Sequence, residues 1–134
     1  MGTIVVGYVP KPEGHAALRR AAEEATLRNA RLVVVNSHRG GRELEQDVSG
    51  TEEDLESVRG ELDKAGVEHE IRQIVRGMDP ADDLVNVATE VGADFIVIGL
   101  RRRSPVGKLI LGSNAQRVLL DAPCPVLAVK ADEE

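Results

Sequence analysis

Aromatic residues are almost missing from this chain: Tyr8 and Phe95 are the whole set, and tryptophan is absent. Stacking of bases on aromatic platforms, a common way of holding single-stranded nucleic acid, is therefore nearly excluded. The core has to be assembled from Val, Leu, Ile and Ala. Cysteine is equally scarce. Cys124 is the only one, so no internal disulfide can form, and no Cys/His cluster has zinc-ligand spacing. Set between Pro123 and Pro125, it reads as a small core residue at the start of the last strand rather than a redox sensor. Long apolar runs are lacking too, and none approaches the ~20 residues of a membrane span. Residues 1–9 are mostly apolar but have neither the basic n-region nor the cleavage site of a secretory leader. The expected location is cytoplasmic, without a membrane partner.

Positive charge is in deficit overall, with 17 Lys and Arg against 23 Asp and Glu and a formal net charge of −6. That balance argues against a general affinity for nucleic acid. The distribution is uneven, however. Six basic residues (Arg101, Arg102, Arg103, Lys108, Arg117 and Lys130) follow residue 100. A locally basic last quarter inside an acidic chain suits a small anion better than a long polyanion. At 134 residues the chain has the size of one domain, spanning 1–134, large enough to bury about two-thirds of its unfolded surface.

Short β-branched runs alternate with stretches of helical period. Thr3–Val9 is a buried strand stopped by Pro10, and residues 13–29 carry the stripe Ala17, Leu18, Ala21, Ala25 of a helix lying on a sheet. Arg31–Ser37 is the second strand. Residues 38–50 are polar and contain glycine, which predicts a loop, and Thr51 opens a capping-box pattern for a helix ending at Gly66. Val67–Val75 alternates, as a strand near a sheet edge does. Asp79 is expected to cap a helix with Pro80 in its first position, running to Gly92. Asp94–Gly99 has no polar residue from 95 to 98 and should be central, residues 113–121 form a short helix, and Pro125–Val129 is the fifth strand. Such alternation implies an α/β fold, a parallel sheet with helices on both faces and ligands at the strands' carboxyl ends.

The segment from Gly99 to Asn114 lies on that side. An apolar strand ends in glycine, three arginines follow, and Gly112-Ser113-Asn114 opens a helix. A glycine turn, nearby cations and free helix N–H groups together suit a phosphate. Other phosphate chemistries fail on their residues. Gly107-Lys108 is followed by Leu109, which rules out a Walker A loop, and Gly7-Tyr8-Val9-Pro10 is no dinucleotide fingerprint. Val9 and Pro10 also stand where a phosphoacceptor domain needs carboxylates for Mg²⁺. No Ser-His-Asp set or G-x-S-x-G elbow occurs, and His15, His38 and His69 have no nucleophile beside them in sequence. No catalytic residue is assigned, and weak ATP hydrolysis is the most that is expected.

Gly99, two residues, Arg102, nine residues and Gly112-Ser113 form a spacing that resembles the universal stress protein family, whose nucleotide binders carry G-x-x-G, nine residues, then G-[ST]. The likeness spans the chain: Ile-Val-Val-Gly in the first strand, Gly-Met-Asp-Pro before the third helix, Gly-Ala-Asp-Phe-Ile-Val-Ile-Gly, and Ala-Pro-Cys-Pro-Val-Leu-Ala-Val at the end. The resemblance implies an open five-stranded parallel sheet of order 3-2-1-4-5, Rossmann-like. It also implies a homodimer through Val126, Leu127, Ala128 and Val129, and ATP or another adenine nucleotide, with Mg²⁺, as ligand. Carried over, Gly99, Gly112 and Ser113 match the phosphate loop, with Asn114 next. Ser37, Val9 and Pro10 fall beside the base.

Two positions depart from the family pattern. Arg102 replaces the second glycine, exchanging backbone freedom for a guanidinium able to make charge-assisted hydrogen bonds, and Arg101 and Arg103 are candidates for the same contact. Val9 stands where nucleotide binders usually have Asp, so base selectivity should suffer more than phosphate binding. The alternative reading is a dimeric interaction module of the same fold that binds no nucleotide and offers its Arg loop to an acidic partner protein.

Overall fold

The computed structural model describes residues 2–38, 42–75, 79–100 and 112–131, without the side chains of residues 38 and 42–52. Strands and helices alternate throughout: β1 (Thr3–Gly7), α1 (Pro12–Arg28), β2 (Arg31–His38), α2 (Arg42–Ala65), β3 (His69–Val75), α3 (Pro80–Val91), β4 (Phe95–Leu100), α4 (Ser113–Asp121) and β5 (Val126–Lys130). The five strands form one sheet in the order β3-β2-β1-β4-β5, and every neighbouring pair is parallel.

Period-two alternation sends the side chains of each strand to two different cores. Ile4 and Val6 of β1, with Leu32 and Val34 of β2, face α1 and α2, where Ala17, Leu18, Ala21, Leu55, Val58 and Leu62 cover them. Val5, Val33, Ile96 and Ile98 face the opposite way, under Ala81, Leu84, Val87 and Ala88 of α3 and Val118 of α4. Burial on both faces is why the central strands read as unbroken Val and Ile. The outer strands β3 and β5 are only partly buried, as the alternating pattern of β3 suggests for that strand.

Helix stops follow backbone chemistry. Asn29 at φ 56° and Gly92 at φ 65° take the left-handed conformation at the ends of α1 and α3, and Gly66 does the same after α2 at φ 74°. One sequence expectation is overturned: the stretch assigned to a loop is helical from Arg42, and Thr51 lies inside α2 instead of opening it. In the sequence, Leu44 and Val48 continue the spacing of Leu55, Val58 and Leu62, and the ~1 kcal/mol cost of an interior glycine at Gly50 is not enough to end a helix.

Candidate functional site

The chain leaves β1 toward β2 and β3, then returns to the other side of β1 for β4 and β5. The connections after β1 and β4 therefore diverge, and a crevice opens between them at the carboxyl ends of the strands. Its volume is about 320 Å³. One wall is apolar, built by Val35, Pro80, Ala81, Leu84, Ile98 and Val118; Glu13, Ser37, Ser113 and Asn114 supply polar groups. A slot of this kind accepts a flat apolar body that carries a polar or charged end.

Two glycines determine how close α1 comes to this crevice. A Cβ on Gly99 would stand 2.0 Å from the Glu13 carbonyl oxygen, and one on Gly14 would stand 1.8 Å from the carbonyl oxygen of Val9. The first turn of α1 can rest on the end of β4 only because Gly99 has no Cβ, and it can fold against the Val9 backbone only because Gly14 has none. Val9 is held in the turn as well, since its carbonyl accepts the Lys11 N–H at 2.8 Å. Asn36 adds a further tie by donating from Nδ2 to the Tyr8 carbonyl at 3.1 Å.

The opposite side of the crevice is the start of α4. Gly112 is its N-cap and has no side-chain cap, and the first ladder bond runs from Gln116 N–H to the Gly112 carbonyl at 3.0 Å. The N–H groups of Ser113, Asn114 and Ala115 consequently have no acceptor within the helix. All three residues line the crevice. Partial positive charge gathers there, which suits an anion. Arg117 braces this helix against α3: its Nη1 donates to Asp79 Oδ2 at 3.1 Å and to Asp82 Oδ2 at 3.3 Å. Asp79 is thus the N-cap of α3 by position but makes no side-chain cap bond, contrary to the sequence expectation. The guanidinium draws its carboxylate sideways instead.

Val9, Ser37, Gly99, Gly112, Ser113 and Asn114 all line the crevice, whereas Pro10 lies exposed on the connection after β1 and is not part of its wall. Arg101, Arg102 and Arg103 lie outside the described residues, as do Ser104 and Lys108. Sequence reasoning missed Glu13, Gly14, Leu84 and Asp83. Gly14 could have been found, because a glycine inside a helical pattern often marks a close backbone approach. Asp83 gave no such signal. It is 6% exposed and accepts a hydrogen bond from Ser37 Oγ at 2.5 Å.

Comparison with known proteins agrees with this geometry. The model of the universal stress protein family matches residues 1–130. A universal stress protein of Mycolicibacterium smegmatis is 44% identical over 127 residues, covering 95% of this chain and 96% of that protein. The solved structure of a universal stress protein from Archaeoglobus fulgidus is similar at a TM-score of 0.84 and 43% identity, covering 97% of this chain and 99% of that one. A structure of the universal stress protein from Archaeoglobus fulgidus in complex with dAMP gives 0.78 at 38% identity, covering 97% and 98%.

Proposed function

The chain belongs to the universal stress protein family, and on that premise we propose that it is a stress-response regulator that binds an adenine nucleotide, ATP above all, in the crevice. The observation that carries the reading is the start of α4, whose first N–H groups have no acceptor among the described residues and belong to residues that line the crevice together with its apolar wall. The dAMP complex of a similar protein supports adenine as the base. Phosphates would lie on Gly99, Gly112, Ser113 and Asn114 with help from Arg102 and its neighbours Arg101 and Arg103, and the base beside Val9 and Ser37, with Pro10 outside the wall. Among the described residues no three His, Cys, Asp or Glu side chains cluster to hold a metal ion. Mg²⁺ would come with the phosphates of ATP.

The proposed assembly is a cytoplasmic homodimer through β5. That strand has β4 on one side only, and its outer row of backbone N–H and C=O groups can pair with the same strand of a second copy. Leu120, on the helix leading into it, is 83% exposed. Calorimetry with ATP and AMP at near-physiological salt tests the function. Binding of either, abolished by Gly112→Val in a variant that remains folded, is the expected result. Absence of heat with both at millimolar concentration would refute the reading and favour the interaction module.

A further inference from the structure

Resting on that nucleotide reading, we propose that Ser37 and Asp83 together read the 6-position of a purine, accepting a hydrogen bond from an exocyclic amino group and turning away an oxo group. The starting point is the direction of one proton. A serine hydroxyl has a single hydrogen to donate, and Ser37 gives it to Asp83 Oδ2 at 2.5 Å. An ionised carboxylate accepts only, and an O–H···O⁻ bond is among the stronger hydrogen bonds a protein makes. Asp83 is 6% exposed, so water competes poorly for it. The hydroxyl proton is thereby committed, and Ser37, which lines the crevice, keeps only the lone pairs of its hydroxyl to offer a ligand.

Position in the fold decides what meets those lone pairs. The free N–H groups of α4 follow β4, while Ser37 ends β2, and β1 lies between these two strands. A phosphate on α4 sends the base across the end of β1 toward Ser37, which lines the same crevice. An amino group at the purine 6-position donates to Ser37 Oγ. A 6-oxo group would set oxygen against oxygen. The Ser37 side chain thus supplies base selectivity at a site where Val9 contributes no carboxylate.

The test compares AMP with IMP, in which an oxo group replaces the 6-amino group and the adjacent N1 gains a proton. Dissociation constants measured by calorimetry on the whole protein should favour AMP by roughly tenfold or more, the usual consequence of an unmatched buried polar group. In Ser37→Ala the two nucleotides should bind within about twofold of each other. Ser37→Thr keeps a hydroxyl and should keep the preference. Asp83→Asn gives the hydroxyl a partner that also donates, so the preference should shrink. Because the readout is a ratio within each variant, partial loss of folded protein does not distort it. A preference retained in Ser37→Ala overturns the inference, and so does equal binding of AMP and IMP by the unmodified protein while AMP still binds. If neither AMP nor ATP binds, the nucleotide reading falls and this one with it.

Discussion

Gly99 packs directly against Glu13, so closely that a methyl group on Gly99 would lie 2.0 Å from the Glu13 carbonyl oxygen. The obstacle is backbone, which cannot rotate away as a side-chain tip can. Gly99→Ala should destabilise the protein by about 3 kcal/mol, the upper end of ordinary overpacking, and Gly14→Ala, at 1.8 Å from the Val9 carbonyl oxygen, should do likewise. Gly60 provides the contrast, because it lies within α2 and its Cβ would meet nothing within 4 Å. Gly60→Ala should stabilise by roughly 0.5–1 kcal/mol. Urea unfolding of the three variants gives the comparison, and a Gly99→Ala protein as stable as the parent would refute the contact.

The same contact marks where sequence reading stops. Strand and helix positions were legible because their signals are local, with Ile4, Val5 and Val6 announcing burial on two faces and Asn29 and Gly92 announcing helix ends, whereas strand order came only with the family resemblance. The place of Gly99 at the crevice was legible, but its packing against α1 was not, since Glu13 is remote in sequence and contributes backbone. Asp83 shows the limit more sharply. A carboxylate at that place in an amphipathic helix reads as solvent-facing, and only the fold reveals that it is buried beneath the Ser37 hydroxyl. The start of α2 was misjudged for a different reason, because polar residues and Gly50 resemble a loop until the periodicity of the whole helix is counted.

Acid should weaken the fold through two carboxylates. Glu24 accepts hydrogen bonds from Arg28 and Arg20, each at 3.0 Å, and these hold its pKa below the ordinary 4.5. Glu70 is lowered in the same way, chiefly by its hydrogen bond from Arg72 and further by Arg31. Protons bind the unfolded chain more readily than the native one, so the stabilisation is complete above about 4.5 and disappears as pH falls through the folded values. Melting temperatures between pH 7 and pH 3 should therefore drop less steeply for the double variant Glu24→Gln, Glu70→Gln than for the parent. Parallel curves would contradict this account.

Alkali should act through Tyr8. Its ring is buried, its hydroxyl has no hydrogen-bond partner among the described residues, and burial, with Asp54 and Glu61 nearby, pushes its pKa from 10.0 up to about 12. The native state keeps the phenolic proton where the unfolded chain has lost it. Stability must then fall as pH rises from about 10 toward about 12. Tyr8→Phe removes both the titration and an unsatisfied buried hydroxyl, so near neutrality it should be neutral or stabilising by up to ~1 kcal/mol. Absorbance titration at alkaline pH, run beside thermal melts, checks both points; a Tyr8 that ionises near 10 would refute the burial argument.

Arg117 should matter to ligand binding more than to stability. Its ion pairs with Asp79 and Asp82 lie near the surface, with the guanidinium side chain 46% exposed, and such pairs contribute at most about 1 kcal/mol. They nevertheless fix the start of α4 relative to α3, and the phosphate site proposed here is that start. Arg117→Ala should therefore leave the melting transition nearly unchanged while weakening AMP binding roughly fivefold, since small misplacements of donors reduce binding sharply. Arg117→Lys should recover only part of this, because the lysine ammonium ends one bond short of Nη1, the nitrogen that meets both carboxylates. Adenosine separates positioning of the phosphate site from general damage to the crevice. It carries no phosphate, so its affinity should be the same in parent and variant, and an equal loss for adenosine and AMP would show that Arg117 shapes the slot as a whole.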